Sequence, residues 1–413
     1  MADMLHPAAF AATLTAALAL AAPLPVMAAP AATQCPWTAA WGSSQMPVNG
    51  DDRLPEAARR DVTLRQIVRP SIAGSELRIR LSNAFGEAPL VIESARLARA
   101  ASPQHPALTA GSSVPLRFAG KERVVVPAGA DWLSDPVRMP VAAFDDLAVS
   151  LHFAALPVQQ TGHPGSRATS YWLSGDRTSD TAFAGAATTD HWYMLSGVEM
   201  RRCGASAIVA LGDSITDGRG STTNGNDRWT DVLARRLSGK SAVVNQGIGG
   251  NRVLLDGTGP NAVARFDRDV LSVHGVTDLI VLEGINDIGM LTRDAPATPE
   301  VHAALVAGVT AAYRQIVERA HARGIKVYGG TLLPFMGMEY YHPAAASEAD
   351  RQAINAWIRT PGHFDAVIDF DAAMRDPARP DHLNPAYDGG DAIHPNPAGY
   401  KAMGEAVSLQ LLK

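Results

Sequence analysis

The chain has 413 residues, 46% of them hydrophobic and 19% charged, with a formal net charge of −5. This is ordinary globular composition, and scattered Lys and Arg on an acidic chain give no long-range reason to bind nucleic acid or an anionic membrane. The length points to two domains rather than one.

From Pro7 to Ala22 the sequence is an uncharged, Ala/Leu-rich run, followed by Pro23, Pro25 and the small-residue pattern Val26-Met27-Ala28-Ala29. It reads as a secretory signal over residues 1–29, cleaved near Ala28 or Ala29. No Lys or Arg precedes the run, only Asp3 and His6, a departure from the usual pattern, and Met4 is an alternative start. The two prolines and the length of the run argue against a membrane anchor. The expectation is a secreted protein, periplasmic or extracellular, with no stable membrane insertion after cleavage.

Residues 30–203 read as a β-rich domain. Leu77-Arg78-Ile79-Arg80-Leu81 and Leu147 to Phe153 alternate apolar and polar side chains, the mark of half-buried strands. Asn83-Ala84-Phe85-Gly86 and Pro127-Ala128-Gly129 supply turns, and no helical pattern intervenes, so an antiparallel sandwich is expected. Trp132, Tyr171, Trp172, Trp192 and Tyr193 offer either an aromatic platform for sugars or, more commonly, core and seam packing. The two cysteines, Cys35 and Cys203, either pair in an oxidising compartment or stay as two separate buried thiols.

Residues 204–413 change rhythm. Apolar runs at Ala207–Leu211, Val243–Val244, Leu279–Leu282, Ile325–Tyr328 and Ala366–Asp369 alternate with helical stretches at Trp229–Leu237, Val301–Arg323 and Pro397–Leu411, with Gly324 as a stop. Such alternation implies a five-stranded parallel sheet covered on both faces, which places reactive groups at the carboxyl ends of its strands.

Four polar elements follow these runs. In Gly212-Asp213-Ser214-Ile215, Ser214 leaves the first strand through a glycine turn; it is either a nucleophile awaiting a base or part of a helix cap. Asp391-Ala392-Ile393-His394 allows the carboxylate to fold back onto the imidazole and fix its tautomer, although a surface Asp–His pair has the same spacing. His163, His274, His321 and His342 read as ordinary loop or helix residues. Gly250, in Asn245-Gln246-Gly247-Ile248-Gly249-Gly250-Asn251, and Asn286, in Gly284-Ile285-Asn286-Asp287, are suitable donors to an oxyanion, with the Ser214 N–H as a third. The glycine run lacks the Lys-Ser/Thr ending of a phosphate loop and the spacing of a dinucleotide fingerprint.

In this order the four motifs closely resemble the SGNH (GDSL) hydrolase superfamily, over about Ala205 to Lys413. The resemblance implies a flavodoxin-like three-layer α/β/α sandwich, Ser214 as nucleophile, His394 as base oriented by Asp391, and Ser214, Gly250 and Asn286 as the oxyanion hole. Gly250 is taken over the adjacent Gly249 because it lies five residues after Asn245. No metal or organic cofactor is implied. Leu211 to Trp229 and Glu283 to Gly289 further resemble secreted bacterial members grouped with a xylanase-cluster esterase, which also carry a β-rich N-terminal region. That similarity suggests short acyl esters, acetyl or aryl, on a small molecule or a polysaccharide. A lipase or phospholipase is disfavoured because no apolar lid is apparent between Gly289 and Val301. An acyltransferase would use the same triad. A carbohydrate-binding protein with an inactive hydrolase domain is less favoured, since a binder has no use for Ser214, Asp391 and His394 together.

Overall fold

Alternation along the strands organises the first half of the computed structural model, which describes Met1 and residues 34–412. The expected signal segment lies, apart from Met1, outside the described residues. Strand Gly74–Ser82 buries Leu77, Ile79 and Leu81 and turns Arg78 and Arg80 to the opposite face. It pairs antiparallel with Leu195–Arg201, which in turn pairs with Trp37–Gly42, and on its other edge with Asp131–Leu133 and Val137–Val141. A second antiparallel sheet runs in the spatial order Ala187–Thr189, Ser170–Ser174, Arg60–Val68, Leu147–Ala155, Ser94–Ser102, His105–Leu108. Leu147, Val149, Leu151 and Phe153 on this sheet and Leu77, Ile79 and Leu81 on the other belong to one apolar core. Helical structure among the described residues before 205 is confined to two 3-10 turns, Gly50–Asp52 and Glu56–Ala58.

The five aromatic residues do not form a platform. Tyr171, Trp192 and Tyr193 are buried, Trp192 standing edge-on to Trp41 at 4.9 Å, while exposed Trp132 lies on a different sheet from Tyr171 and Trp172. The apolar area of Tyr171, Trp192 and Tyr193 is drawn into the interior.

The second half contains strands β1 (Ala207–Gly212), β2 (Ala242–Gly247), β3 (Val276–Leu282), β4 (Lys326–Gly330) and β5 (Ala366–Ile368), all parallel, in the order β2-β1-β3-β4-β5. This is the flavodoxin-like order, and β1, buried along its whole length, sits at the switch point where ligands bind. Gly212 lies beside Gly247 of β2 and Leu282 of β3, so three of the motif-bearing loops leave the sheet at one level. The helices are α1 (Ser214–Asp217), α2 (Trp229–Leu237), α3 (Ala262–Phe266), α4 (Ile285–Thr292), α5 (Pro299–His321), α6 (Ala345–Arg359), α7 (Phe370–Met374) and α8 (Pro397–Ala406). Gly324 terminates α5 in a left-handed conformation, φ +70°, with the Ile325 N–H returning to the Ala320 carbonyl at 3.1 Å. The closing helix stops at Ala406 rather than Leu411 because the Arg236 guanidinium takes the carbonyls of Gly404 and Val407, and Val407 is extended.

Residues 35–413 form one compact unit. The Ala39 N–H donates to the His274 carbonyl at 2.9 Å, and a disulfide joins Cys35 to Cys203. Buried Glu199, opposite Arg78 in register, accepts from Arg78 and Arg80 at 2.7 Å and from His274 at 2.9 Å, tying two neighbouring strands of the first sheet to the loop before β3. Burial alone would raise its carboxyl, but the His274 and Arg80 bonds prevail and hold it at about 2. A folded value below the ordinary 4.5 contributes stability that is complete above pH 4.5 and lost as pH falls towards 2. Glu199→Gln should therefore be less stable at neutral pH and show a flatter loss of stability over that acid window, read from denaturant midpoints as a function of pH.

Candidate active site

Strand β1 ends where a side chain has no room: a Cβ on Gly212 would lie 2.2 Å from Thr216 Oγ1 and 2.4 Å from the Leu282 carbonyl. The chain turns there into α1. Asp213 caps the helix by accepting the Ile215 N–H at 2.9 Å, and Ser214 occupies the first helical position. An N–H at that position has no acceptor within its own helix, so it is free to meet an incoming negative charge.

Ser214 Oγ lies 2.8 Å from His394 Nε2. On the far side of the ring, His394 Nδ1 is 2.6 Å from Asp391 Oδ2, while Asp391 Oδ1 accepts the His394 backbone N–H at 2.9 Å. The Asp391–His394 segment is thus a tight loop, with Ala392 in the left-handed region at φ +63° and Asp388 accepting from Gly390 and Ala392. Burial works against the charge on Asp391, but the His394 ring and backbone donors outweigh it and hold the carboxyl at about 2. Histidine–carboxylate contacts also occur at His302, His321 and His382; among the described residues it is His394 that meets Ser214.

Gly250 and Asn286 line the same cavity as Ser214 and His394, of about 660 Å³, and Gly249 lines it too. Asn286 is fixed at both ends of its amide. Its Nδ2 donates to the Asn251 carbonyl at 2.8 Å, and its Oδ1 accepts from Tyr341 Oη at 2.7 Å, leaving one N–H unspent. Burial drives the Tyr341 phenol well above its ordinary pKa, so it remains a donor. Asp287 accepts the Val253 and Leu254 N–H groups at 2.8 and 3.0 Å, anchoring the glycine loop to α4; its carboxyl is pushed up to about 6 by burial, only partly offset by those bonds.

Behind these loops lies Arg265, fully buried. It donates to the Gly212 carbonyl at the end of β1, the Gln246 carbonyl in β2 and the Asn251 side chain, and also reaches Glu283 after β3 and Asp269. Among the described residues no cluster of three or more His, Cys, Asp or Glu is arranged to hold a metal ion.

Several groups at the site carried no sequence signal. His163, read as an ordinary loop residue, is buried on strand Gln160–His163 and places Nε2 2.8 Å from Asp217 Oδ1 in α1, the helix that carries Ser214. Its Nδ1 meets the Ser44 carbonyl at 2.8 Å, so the link is made from the β-rich half. The cavity wall is completed by Pro164, Arg167 and His191 from that half, and by Met338, Tyr340 and Tyr341 after β4. An acidic residue one turn after the nucleophile was visible in the sequence at Asp217, but not the histidine 54 positions upstream that meets it. The stretch between Gly289 and Val301 contributes Met290 and Arg293 to the wall.

Residues 210–402 match the model of the GDSL-like lipase/acylhydrolase family. No curated protein matches the chain. Among solved structures, the chain is similar to a carbohydrate acetylesterase from Sinorhizobium meliloti, at 18% identity over 50% of this chain and 98% of that one, with a TM-score of 0.39. It is likewise similar to the aryl esterase of M. smegmatis, at 18% identity over 50% of this chain and 99% of that one, with a TM-score of 0.39. A GDSL-like lipase from Bacteroides thetaiotaomicron is 20% identical over 49% of this chain and 85% of that one, with a TM-score of 0.36.

Removing the Tyr341 hydroxyl frees the Asn286 amide to rotate. Tyr341→Phe should lower kcat about fivefold with little change in KM, the effect of about 1 kcal/mol from one hydrogen bond, measured by steady-state kinetics on an aryl acetate.

Proposed function

Because its C-terminal half is a GDSL-like lipase/acylhydrolase domain of the SGNH type, and so a serine-esterase domain, we propose that the protein hydrolyses short-chain carboxylic esters through an acyl-enzyme on Ser214. The observation that carries this reading is the continuous chain from Ser214 Oγ through the His394 ring to Asp391, opening onto a cavity that also holds Gly250 and Asn286.

With Nδ1–H directed at Asp391, His394 presents a bare Nε2 to the Ser214 hydroxyl and takes its proton as Oγ attacks the ester carbonyl. The carbonyl oxygen becomes an oxyanion facing the Ser214 N–H, the Gly250 N–H and the unspent N–H of Asn286. Collapse of the tetrahedral species breaks the bond to the alcohol, which receives its proton from His394. Water then enters, gives a proton to the same nitrogen and releases the acid, and Ser214 regains its hydrogen.

A small acyl group fits the lining. The apolar side chains on the wall, among them Met46, Met290, Met338, Tyr341 and Ile393, are interrupted by arginines and glycines, which breaks up the continuous surface that a long alkyl chain would need. Acetyl esters of a polysaccharide or of aryl alcohols are the substrates this reading favours. Export through the N-terminal signal is part of it, and the Cys35–Cys203 disulfide suits an oxidising compartment.

Ser214→Ala should abolish hydrolysis of p-nitrophenyl acetate and labelling by a fluorophosphonate; full activity in that variant would refute the assignment. Asn286→Ala should retain the nucleophile and lose on the order of a hundredfold in kcat. Across a series of p-nitrophenyl esters kcat/KM should peak at two to four acyl carbons, roughly the reach of such a wall, whereas a maximum at long chains would favour a lipase.

A further inference from the structure

Four guanidinium groups face the catalytic cavity, those of Arg167, Arg219, Arg252 and Arg293, against two carboxylates, Asp52 and Asp217. Most of these charges already have partners. Arg293 forks onto Asp294 at 2.9 and 2.8 Å and also meets Tyr340, and Arg252 donates to the Asp256 carbonyl. Asp217 is held by His163, and Asp52 lies 3.6 Å from His191. Arg167 and Arg219 differ: among the described residues neither side chain has a hydrogen bond or an acidic partner within 4.0 Å. The Arg167 Nε is also buried without any acceptor.

The backbones of both residues are nevertheless held in place, with the Arg167 side chain half-buried and that of Arg219 exposed. Arg167 adopts φ +48°, a left-handed conformation that a long side chain rarely takes. Its neighbours enforce it. Ser166 Oγ lies 2.7 Å and 2.8 Å from the carbonyls of Ala168 and Asp190, the Asn224 N–H donates to the Arg167 carbonyl at 2.9 Å, and Thr169 and Asn224 exchange two further bonds. Arg219 follows the nucleophile helix directly: its N–H donates to the Ser214 carbonyl at 2.9 Å and its carbonyl accepts from Tyr400 Oη at 2.6 Å. The next residue, Gly220, packs against the base, since a Cβ there would lie 2.5 Å from the Pro395 carbonyl and 3.8 Å from His394 Cβ.

We propose that Arg167 and Arg219 form a subsite for an anionic group, a carboxylate or a similarly sized oxyanion, carried by the alcohol portion of the ester. The proposal rests on the esterase reading above and adds to it the substrate class. The side of the scissile bond follows from the mechanism. The alcohol leaves towards the group that protonates it, His394, and Arg219 is joined to that group through Gly220, which packs against the His394–Pro395 segment. An unpaired guanidinium presents a planar fork that matches a carboxylate, and a concave wall concentrates its field. Acidic sugars and hydroxybenzoates esterified on a hydroxyl have this form.

The test compares 4-acetoxybenzoate with its methyl ester, which share the acetyl group and the aryl frame and differ in charge. In wild type the ratio of kcat/KM, anionic over neutral, should exceed that of the Arg167→Gln/Arg219→Gln double variant by at least tenfold, through KM, and the excess should shrink with added NaCl. Equal ratios in the two proteins overturn the proposal while leaving the esterase reading intact. If neither ester is cleaved, the esterase reading fails instead, and the subsite is judged by calorimetric titration of Ser214→Ala with 4-hydroxybenzoate and methyl 4-hydroxybenzoate. Preferential binding of the acid that disappears when both arginines are replaced supports the subsite; equal binding of acid and ester overturns it.

Discussion

The site depends on one buried guanidinium. Arg265 satisfies carbonyls at the ends of β1 and β2 and the side chain of Asn251, and reaches Glu283 beyond β3. A parallel sheet by itself fixes the strands but not the loops that leave them, and Ser214, Gly250 and Asn286 sit on three different connections, after β1, β2 and β3. A rigid five-donor fork in their midst converts sheet register into loop register. It also binds the Ser44 hydroxyl of the β-rich half at 3.0 Å, so the same group that sets the loops joins the two layers.

That joint gives the β-rich half a part in the site itself. His163 from that half holds Asp217 in the nucleophile's helix, and the Arg228 side chain reaches back to the Ser166 carbonyl at 2.9 Å. A four-residue helix has little intrinsic stability, since nucleation is costly and few bonds follow it. Its position is therefore set by what is packed against it, and part of that is supplied from the other half of the chain.

Much of the parallel sheet was legible in the sequence. Continuous apolar runs such as Ile208–Leu211 are unambiguous when a strand is buried on both faces, and Trp229–Leu237 has strong helical spacing, so these elements stand where their patterns place them. Ser214, Gly250 and Asn286 drew attention because each lies just beyond such a run, and Asp391 and His394 because of their spacing in a turn-rich stretch; the structure brings Ser214, His394 and Asp391 into one hydrogen-bonded chain. His163 was not. Its role depends on a contact across 54 residues between two layers, and no periodicity encodes that. Arg265 was invisible for the same reason: an arginine in a short helical stretch reads as solvated until three strand ends are seen to converge on it. Arg167 escaped notice because backbone strain has no signature in residue type unless glycine or asparagine provides it.

The acids around Arg265 pose a problem that the fold has to solve. Asp213, Asp269, Glu283 and Asp287 together outnumber the one cation at the centre of the cluster, and Asp213, Glu283 and Asp287 are next in sequence or nearly so to Ser214 and Asn286. Asp269 is neutralised by Arg268 as well as Arg265, and burial raises Asp213, Glu283 and Asp287 above the ordinary carboxylate range. A raised value means that the surroundings resist further negative charge, so these groups are the ones whose protonation relieves the site. Backbone N–H groups take up what charge remains: Ile215 donates to Asp213, and Val253 and Leu254 donate to Asp287. Each of these bonds orders a loop that borders the cavity, so the same donors that accommodate the buried acids also hold the loops of Ser214 and Gly250 in place. Electrostatic strain and geometric order at this site therefore have one source, and a change that removed an acid would loosen the loop it anchors even as it lowered the local negative charge.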